Sequence, residues 1–215
     1  MNHHTLSVSR TAHVFSLGQP GPQVRQLWIV CHGFAMLADE FLENFRPLEM
    51  ADGSRLIVAP EGLNHFYKRG HAGDVGTTWM TRRFRETQIA DYSNYLQTLL
   101  HQQLAALPPD VRVVLFGFSQ GTATVCRWVL AKHPPCHDIV LWGGLPPEDL
   151  DYRPHLEYLS GKNVQLWHGD ADPLFTPEWA AMLAEIEAKN GLTFPKTVFT
   201  GGHDIPAEAL RQLGI

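Results

Sequence analysis

The sequence lacks the features that mark several large classes of protein. Its 215 residues include only three cysteines, an odd number without the spacing of zinc ligands, so neither a disulfide framework nor a structural zinc site is expected. No apolar run approaches the roughly 18–20 residues that span a bilayer, and the polar segment 1–10 lacks the apolar stretch of a signal peptide. These absences predict buried free thiols, no stable membrane insertion and a cytoplasmic location.

Basic patches, clustered metal ligands and internal boundaries are missing as well. Lys and Arg number 17 against 22 Asp and Glu, so the chain has no basic footprint and no nucleic-acid partner is expected. The histidines are scattered, and the one i, i+4 pair, His133 and His137, is interrupted by Pro134-Pro135, so no metal site is expected. With neither linker nor repeat, residues 1–215 are expected to form a single domain.

Short apolar runs of strand length alternate with periodic segments typical of helices. This alternation favours an α/β fold, a mostly parallel central sheet with helices on both faces and functional residues at the carboxyl ends of the strands. The predicted strands are 27–30, 56–59, 111–116, 139–142, 164–167 and 197–199. The predicted helices are 38–50, 86–107, 121–132, 177–189 and 206–213.

A Gly-x-Ser-x-Gly motif follows one of these strands. Strand 111–116 runs into Gly117-Phe118-Ser119-Gln120-Gly121, and a helical pattern begins at once. This is the context of a nucleophile elbow, in which the flanking glycines leave the serine exposed at the strand end. The motif alone arises by chance in roughly 5–10% of chains this long, with an inert serine in the turn as the alternative. Its placement predicts an α/β-hydrolase fold with Ser119 as nucleophile.

A serine nucleophile needs a histidine base and a carboxylate, which follow it in the order acid, then histidine, in this fold. His203, after the last predicted strand, is the expected base. Asp204 adjoins it, and neighbouring side chains in an extended loop point apart, so Asp204 is poorly placed to accept from its imidazole. Asp170 and Asp172 both follow strand 164–167. Asp170 is expected to stabilise its own turn, which favours Asp172 as the acid and leaves Asp170 as the alternative.

Two backbone amides are expected to stabilise the oxyanion of a tetrahedral intermediate. One is the N–H of Gln120, directly after the nucleophile. The other is expected in the loop after strand 27–30, where Gly33 in His32-Gly33-Phe34 permits a tight turn that aims the Phe34 amide at the site. A plain strand-end turn is the alternative for this second element.

Four of these stretches resemble one protein family. They are similar to motifs of the phospholipase/carboxylesterase family of α/β-hydrolases, which includes acyl-protein thioesterases, and the resemblance spans nearly the whole chain. In that family the acid is the second aspartate of the Gly-Asp-x-Asp-Pro run, which implies Asp172. The stretches are His32-Gly33-Phe34, Gly117-Phe118-Ser119-Gln120-Gly121, His168-Gly169-Asp170-Ala171-Asp172-Pro173 and Gly202-His203-Asp204-Ile205.

The resemblance also concerns the mouth of the site. The stretch Ala59-Pro60-Glu61-Gly62 and the residues after it are similar to bacterial esterase members of the family. This implies that the substrate-binding surface includes Phe66, Tyr67, Trp79 and Met80.

The sequence departs from the family pattern at several positions. Thr122 replaces a frequent glycine, Phe175-Thr176 replaces a valine and a proline of the thioesterases, and segment 63–80 differs from them throughout. The departures concern the acyl pocket, so depalmitoylation of proteins is not assumed, and a mobile lid at 63–80 is left open. Five basic residues nearby are either solvated or attract an anionic leaving group: Lys68, Arg69, Arg82, Arg83 and Arg85.

The motifs and the resemblance imply a serine carboxylesterase that hydrolyses esters of small or medium acyl chains through an acyl-enzyme, without a cofactor. An acyl thioesterase or a lysophospholipase would use the same residues. A non-catalytic ligand-binding protein of the α/β-hydrolase fold is the alternative of another class. The expected partner is a small-molecule ester or thioester substrate, and the oligomeric state, with a homodimer among the options, is left open.

Overall fold

A computed structural model describes residues 1–215, and its main feature is a seven-stranded sheet. The strands are β1 Val14–Leu17, β2 Gln26–Cys31, β3 Arg55–Pro60, β4 Asn64–Tyr67, β5 Val75–Thr78, β6 Arg112–Phe118, β7 Asp138–Trp142, β8 Asn163–Gly169 and β9 Lys196–Phe199. The sheet has the order β1-β3-β2-β6-β7-β8-β9, and only β1 runs antiparallel to its neighbour. Strands β4 and β5 form a separate antiparallel hairpin.

The helices cover both faces of this sheet. They are α1 Ala38–Leu42, α2 Arg85–Leu104, α3 Gln120–Lys132, α4 Leu156–Ser160, α5 Pro177–Asn190 and α6 Ala207–Arg211, with 3₁₀ helices at Glu43–Leu48 and Arg153–His155. Alternate residues of β2 point to opposite faces, as the pleat of a strand requires. Leu27 and Ile29 pack in the core under α2, α3 and α5, whereas Trp28 and Val30 pack in the core under α1 and α6. The predicted mostly parallel sheet with helices on both faces is confirmed.

All six predicted strands and four of the five predicted helices are present, but three strands were missed. Strand β1 has only four residues and pairs at the edge of the sheet. Hairpin β4–β5 is as short, and β5 is Val-Gly-Thr-Thr, a sequence without strong apolar periodicity. Strands of this kind are fixed by their partners rather than by local pattern.

The single helix predicted for 38–50 is wrong. The α-helix ends at Leu42 and the chain continues as a 3₁₀ helix to Leu48. Pro47 lies in this second part, and because proline has no N–H it cannot extend an α-helical hydrogen-bond ladder.

Strand β6 lies between β2 and β7, near the middle of the sheet. The registers pair Cys31 with Gly117 and Phe118 with Trp142, so three parallel strands end at one level. The loops after β2, β6 and β7 therefore meet at the same edge.

Candidate active site

Ser119 forms a strained turn between β6 and α3. Its backbone has φ 54° and ψ −115°, a conformation that costs a non-glycine residue about 1–3 kcal/mol. Two hydrogen bonds hold the turn: the Ser119 N–H donates to the Trp142 carbonyl at 2.8 Å, and the Thr122 N–H donates to the Ser119 carbonyl at 3.0 Å. The serine is thus fixed at the end of the strand and is partly exposed.

The two glycines of the motif serve close packing. A Cβ at Gly117 would collide with the Gly121 carbonyl, and a Cβ at Gly121 would collide with the Cys31 carbonyl at the end of β2. Neither glycine has a positive φ, so the unusual dihedral angles belong to Ser119 itself. Thr122, a departure from the family pattern, is fully buried, and its hydroxyl donates to the Gly117 carbonyl at 2.9 Å.

A short hydrogen bond joins Asp172 to His203. The distance from His203 Nδ1 to Asp172 Oδ2 is 2.8 Å, and the aspartate side chain is only 3% exposed against 25% for the histidine. Since a carboxylate only accepts, Nδ1 carries the proton and Nε2 is left as an acceptor. The second carboxylate oxygen, Oδ1, accepts the Leu174 N–H at 2.8 Å, which fixes the rotation of the side chain.

The other two candidate carboxylates have different roles. Asp170 Oδ1 accepts the N–H of Gly201 at 3.1 Å and so ties the loop after β8 to the loop that carries His203. Asp204 is exposed, and its backbone carbonyl accepts the indole N–H of Trp142 at 2.8 Å. Neither side chain bonds the imidazole.

His203 lies beside the elbow. Its ring packs on Phe118, the residue before Ser119, with ring centroids 4.8 Å apart. Gly143 and Gly144, which follow β7, lie between His203 and the Ser119 turn. A Cβ at Gly143 would lie 3.2 Å from His203 Cε1, and a Cβ at Gly144 would lie 2.5 Å from the Ser119 carbonyl oxygen. No hydrogen bond joins the Ser119 hydroxyl to the ring in this structure, and such bonds are often loose before substrate binds. The Trp-Gly-Gly run after β7 was overlooked in the sequence, although glycine pairs at strand ends are a usable signal.

The loop after β2 approaches the serine from the other side. A Cβ at Gly33 would lie 3.2 Å from the Ser119 Cβ, so this loop contacts the nucleophile directly. The Phe34 N–H donates to no backbone or side-chain acceptor of the chain, and the Gln120 N–H is the first of α3, where a helix offers no acceptor. Two free amide donors therefore belong to the segments that contact or directly follow Ser119.

His32 holds this loop from beneath. Its ring is fully buried, Nε2 accepts the Gly62 N–H at 3.0 Å, and Nδ1 lies 2.7 Å from the Gly33 carbonyl. Burial lowers the pKa of His32 and outweighs the Gly33 carbonyl and the Glu61 carboxylate, which raise it. The ring is consequently a neutral imidazole with the proton on Nδ1.

The residues expected at the mouth occupy different environments. Phe66 stacks on Phe34 with centroids 5.3 Å apart, and both Phe34 and Tyr67 are more than half exposed. Met80 is partly buried. The expectation for Trp79 is not met: its side chain is fully buried, and its indole N–H donates to the His32 carbonyl at 2.9 Å, so Trp79 supports the site from the core.

The basic residues are not equivalent. Arg85 is bound to Asp149 at 2.7 Å and lies 3.3 Å from Glu86, so its charge is already balanced. The other four, Lys68, Arg69, Arg82 and Arg83, are exposed and form no ion pair with the chain.

One sizeable cavity lies away from this constellation. It measures about 890 Å³ and is bordered by the N-terminal segment 3–12 and by α2, and none of Ser119, Asp172 and His203 lines it. The placement of reactive side chains, and not cavity size, identifies the candidate site.

Comparison with known proteins identifies the family of the chain. A family model described as phospholipase/carboxylesterase matches residues 19–214. The chain belongs to the phospholipase/carboxylesterase family. Family membership places it among hydrolases. No curated protein matches the chain significantly.

Solved structures of similar fold include esterases and a thioesterase. A carboxylesterase from Mesorhizobium loti is 20% identical, with a TM-score of 0.68 over 94% of this chain and 93% of that one. Acyl-protein thioesterase 2 from Zea mays is 14% identical, with a TM-score of 0.68 over 94% and 96%. A carboxylesterase from Bacillus cereus is 13% identical, with a TM-score of 0.64 over 94% and 91%. The predicted α/β-hydrolase fold is confirmed, and at these identities the likeness concerns the fold alone.

Two further observations complete the description of this phospholipase/carboxylesterase family member. None of its helices combines the length and the apolar composition that crossing a membrane requires. All three cysteines, Cys31, Cys126 and Cys136, are buried free thiols, as the sequence predicted.

The neutral, buried His32 predicts a pH dependence of stability. The folded pKa is lowered, whereas an unfolded imidazole titrates near 6.5, so below about pH 6.5 the unfolded chain binds a proton that the folded protein excludes. As the pH is lowered below this value, protonation of this group in the unfolded chain should reduce the free energy of unfolding by at most about 1.4 kcal/mol per pH unit. Urea unfolding at about pH 7 and about pH 5.5 measures this effect. We expect His32→Gln to lose less free energy of unfolding between the two pH values than wild type does.

The exposed His71, which makes no hydrogen bond, provides the matched control. His71→Gln should lose as much stability on acidification as wild type does. Equal pH slopes for wild type and His32→Gln would contradict the buried, neutral state of His32.

Proposed function

We propose that the protein is a serine carboxylesterase in which Ser119 is the nucleophile, His203 the general base and Asp172 the residue that orients it. The observation that carries the proposal is the Asp172–His203 hydrogen bond of 2.8 Å beside a strained serine turn. A fixed imidazole with Nε2 as acceptor is what a serine hydroxyl needs to become a nucleophile at neutral pH.

The reaction follows from this arrangement in two stages. His203 Nε2 takes the Ser119 proton as Oγ attacks the carbonyl carbon of the ester, and Asp172 stabilises the resulting imidazolium. The imidazolium returns that proton to the departing alcohol as the ester C–O bond breaks, which leaves an acyl-enzyme. Water then attacks the acyl carbon, with His203 again as base, and the acid and the free serine are released.

The negative charge of each tetrahedral intermediate falls on the former carbonyl oxygen. The N–H groups of Phe34 and Gln120 are the proposed donors to it, since both are unpaired and both adjoin Ser119. Preorganised donors of this kind typically contribute about 10²–10³ in rate each. The chemistry requires neither a metal ion nor a cofactor.

The exposed aromatic surface beside the oxyanion donors supports an apolar acyl group. Phe34 is 59% exposed and stacks on Phe66, and Tyr67 is the next residue of β4. This surface is short and open to solvent, which suits small or medium acyl chains. Met80, in the loop after β5, packs against the core instead. The single domain and the cytoplasmic location stay predictions, and the oligomeric state stays open, with a homodimer among the options.

A fluorophosphonate probe tests the nucleophile. Wild type should be labelled at Ser119, because the probe reacts only with an activated serine. Its activity should fall in proportion to the fraction of protein labelled. Ser119→Ala should show no label and should lose several orders of magnitude in kcat. A folded wild type without label at Ser119 would refute the enzyme and favour a non-catalytic binding protein.

Asparagine variants of the two neighbouring aspartates test the acid. In Asp172→Asn the Leu174 N–H should hold the amide oxygen, so the amide nitrogen faces His203 Nδ1 and forces the proton onto Nε2. We expect kcat to fall by about 10³-fold or more, since the ring can no longer accept the serine proton.

Asp170→Asn is the matched control, because an amide oxygen can still accept the Gly201 N–H. It should stay within a few fold of wild type. Full activity of Asp172→Asn, or an equal loss in both variants, would overturn the assignment of the acid.

An acyl thioesterase or lysophospholipase is the second candidate, because the same residues would cleave a thioester. The favoured class is decided by kcat/KM for p-nitrophenyl esters of increasing chain length, for matched acyl thioesters and for a lysophospholipid. We expect the short and medium esters to be turned over fastest. A preference for long-chain thioesters or for the lysolipid would replace the carboxylesterase proposal with that activity.

A further inference from the structure

The two proposed oxyanion donors belong to loops that are distant in sequence. Phe34 follows β2, whereas Gln120 begins α3, and a shared oxyanion must meet both N–H groups at about 2.7–3.1 Å. Their separation must therefore be fixed by something that contacts both loops. The inference drawn from this requirement rests on the serine esterase proposed above.

One end of segment 77–80 holds the Phe34 loop. The Ala35 N–H donates to the Thr77 carbonyl at 2.9 Å, and the Thr77 N–H donates to the Met36 carbonyl at 3.2 Å. The Thr77 hydroxyl donates to the same Met36 carbonyl at 2.9 Å. Ala35 has a φ of 62°, so these bonds hold a strained backbone directly after Phe34.

The other end of segment 77–80 is held by the side chain of Gln120. Its Oε1 accepts the Thr78 hydroxyl at 3.0 Å and the Trp79 N–H at 3.2 Å. Its Nε2 donates to the Met80 carbonyl at 3.3 Å. The Gln120 side chain thus hydrogen-bonds to three consecutive residues, and the backbone N–H of the same residue is the second proposed oxyanion donor.

The segment between these ends is rigidly placed. Thr77, Thr78 and Trp79 are at most 2% exposed, and the Trp79 indole N–H donates to the His32 carbonyl at the base of the Phe34 loop. A Cβ at Gly76 would lie 2.7 Å from the Ala35 carbonyl oxygen, so the two loops touch with no room for a side chain.

We propose that the Gln120 side chain is a positioning residue, which fixes the separation of the Phe34 and Gln120 amides through segment 77–80. Glutamine suits the role because it offers both an acceptor and a donor in one planar group. Methionine has nearly the same length but neither function, so Gln120→Met releases the segment while largely preserving volume.

The expected consequence is specific to the transition state. Both N–H groups remain in Gln120→Met, but their alignment on the oxyanion is relaxed, and a misplacement of about 1 Å can cost 10²-fold in rate. Ground-state binding of the acyl group on Phe34 and Phe66 does not depend on that alignment. The loss should therefore appear in kcat and not in KM.

Gln88 offers a matched control on α2. Its Oε1 accepts the Thr81 N–H at 2.8 Å and its Nε2 donates to the Arg83 carbonyl at 2.5 Å. Gln88 thus binds Thr81 and Arg83, which lie just beyond segment 77–80, and it does not contact either donor loop. Gln88→Met removes comparable hydrogen bonds and should leave kcat within about twofold of wild type.

The experiment compares Gln120→Met, Thr77→Val and Gln88→Met with wild type on a short p-nitrophenyl ester. Each variant is also tested for its inhibition constant with a trifluoromethyl ketone, whose adduct with serine places a negative oxygen between the donors. For Gln120→Met and Thr77→Val we expect kcat to fall about 10–100-fold, KM to stay within about twofold, and the inhibition constant to rise in parallel with the loss in kcat/KM. Thermal unfolding verifies that each variant is folded, and Thr77→Val carries the test if Gln120→Met is not.

Three results would overturn the inference. They are a raised KM with unchanged kcat, an inhibition constant that does not follow the loss in kcat/KM, and an equal loss in Gln88→Met. Wild type without turnover or fluorophosphonate label would instead refute the proposed function itself, and the inference with it.

Discussion

The site depends on how closely helix α3 approaches strand β2. Gly117 and Gly121 have no room for a Cβ because the first turn of α3 rests on the end of β6 and on the carbonyl of Cys31. Ser119, between these two glycines, has a positive φ. The strain is sustained because the turn is hydrogen-bonded to Trp142 of β7 on the opposite side. The same contact places the start of α3, which carries the Gln120 amide, beside the loop after β2.

The proposed acid and base lie near the serine turn because of a second constraint, the common edge at which the parallel strands end. Asp172 follows β8 and His203 follows β9, which is its neighbour in the sheet. The loops are tied together by Asp170 and Gly201, and the His203 loop is tied to β7 by the indole of Trp142. One oxygen of the Asp172 carboxylate accepts the Leu174 N–H in its own loop, and the other is bonded to the His203 imidazole. The ring is therefore oriented by a carboxylate that is itself held in place.

The β4–β5 hairpin connects the proposed substrate surface with the loops around Ser119. Its outer part carries Phe66 and Tyr67, whereas its return strand continues into the buried segment 77–80. One short element therefore presents an exposed surface at one end and, at the other, is hydrogen-bonded to the Phe34 loop and to the Gln120 side chain. The exposed residues of the hairpin can change without disturbing the core, whereas the buried ones are constrained by their packing and hydrogen bonds.

The sequence alone was sufficient for the features with a local signature. Alternating apolar runs determined the parallel sheet, and the glycine-framed serine after a strand determined the elbow. The positions of His203 and Asp172 followed from strand ends in the required chain order. The free, buried cysteines followed from their number and spacing.

Only the tertiary structure decided the features that depend on partners far along the chain. Trp79 looks like a surface aromatic in sequence, yet it is buried because its indole finds the His32 carbonyl, 47 residues away. Strand β5 has too little apolar periodicity to be recognised, and it forms because β4 and the Phe34 loop pair with it. The role of the Gln120 side chain is invisible for the same reason, since a hydrogen bond between distant residues leaves no periodicity or spacing to read.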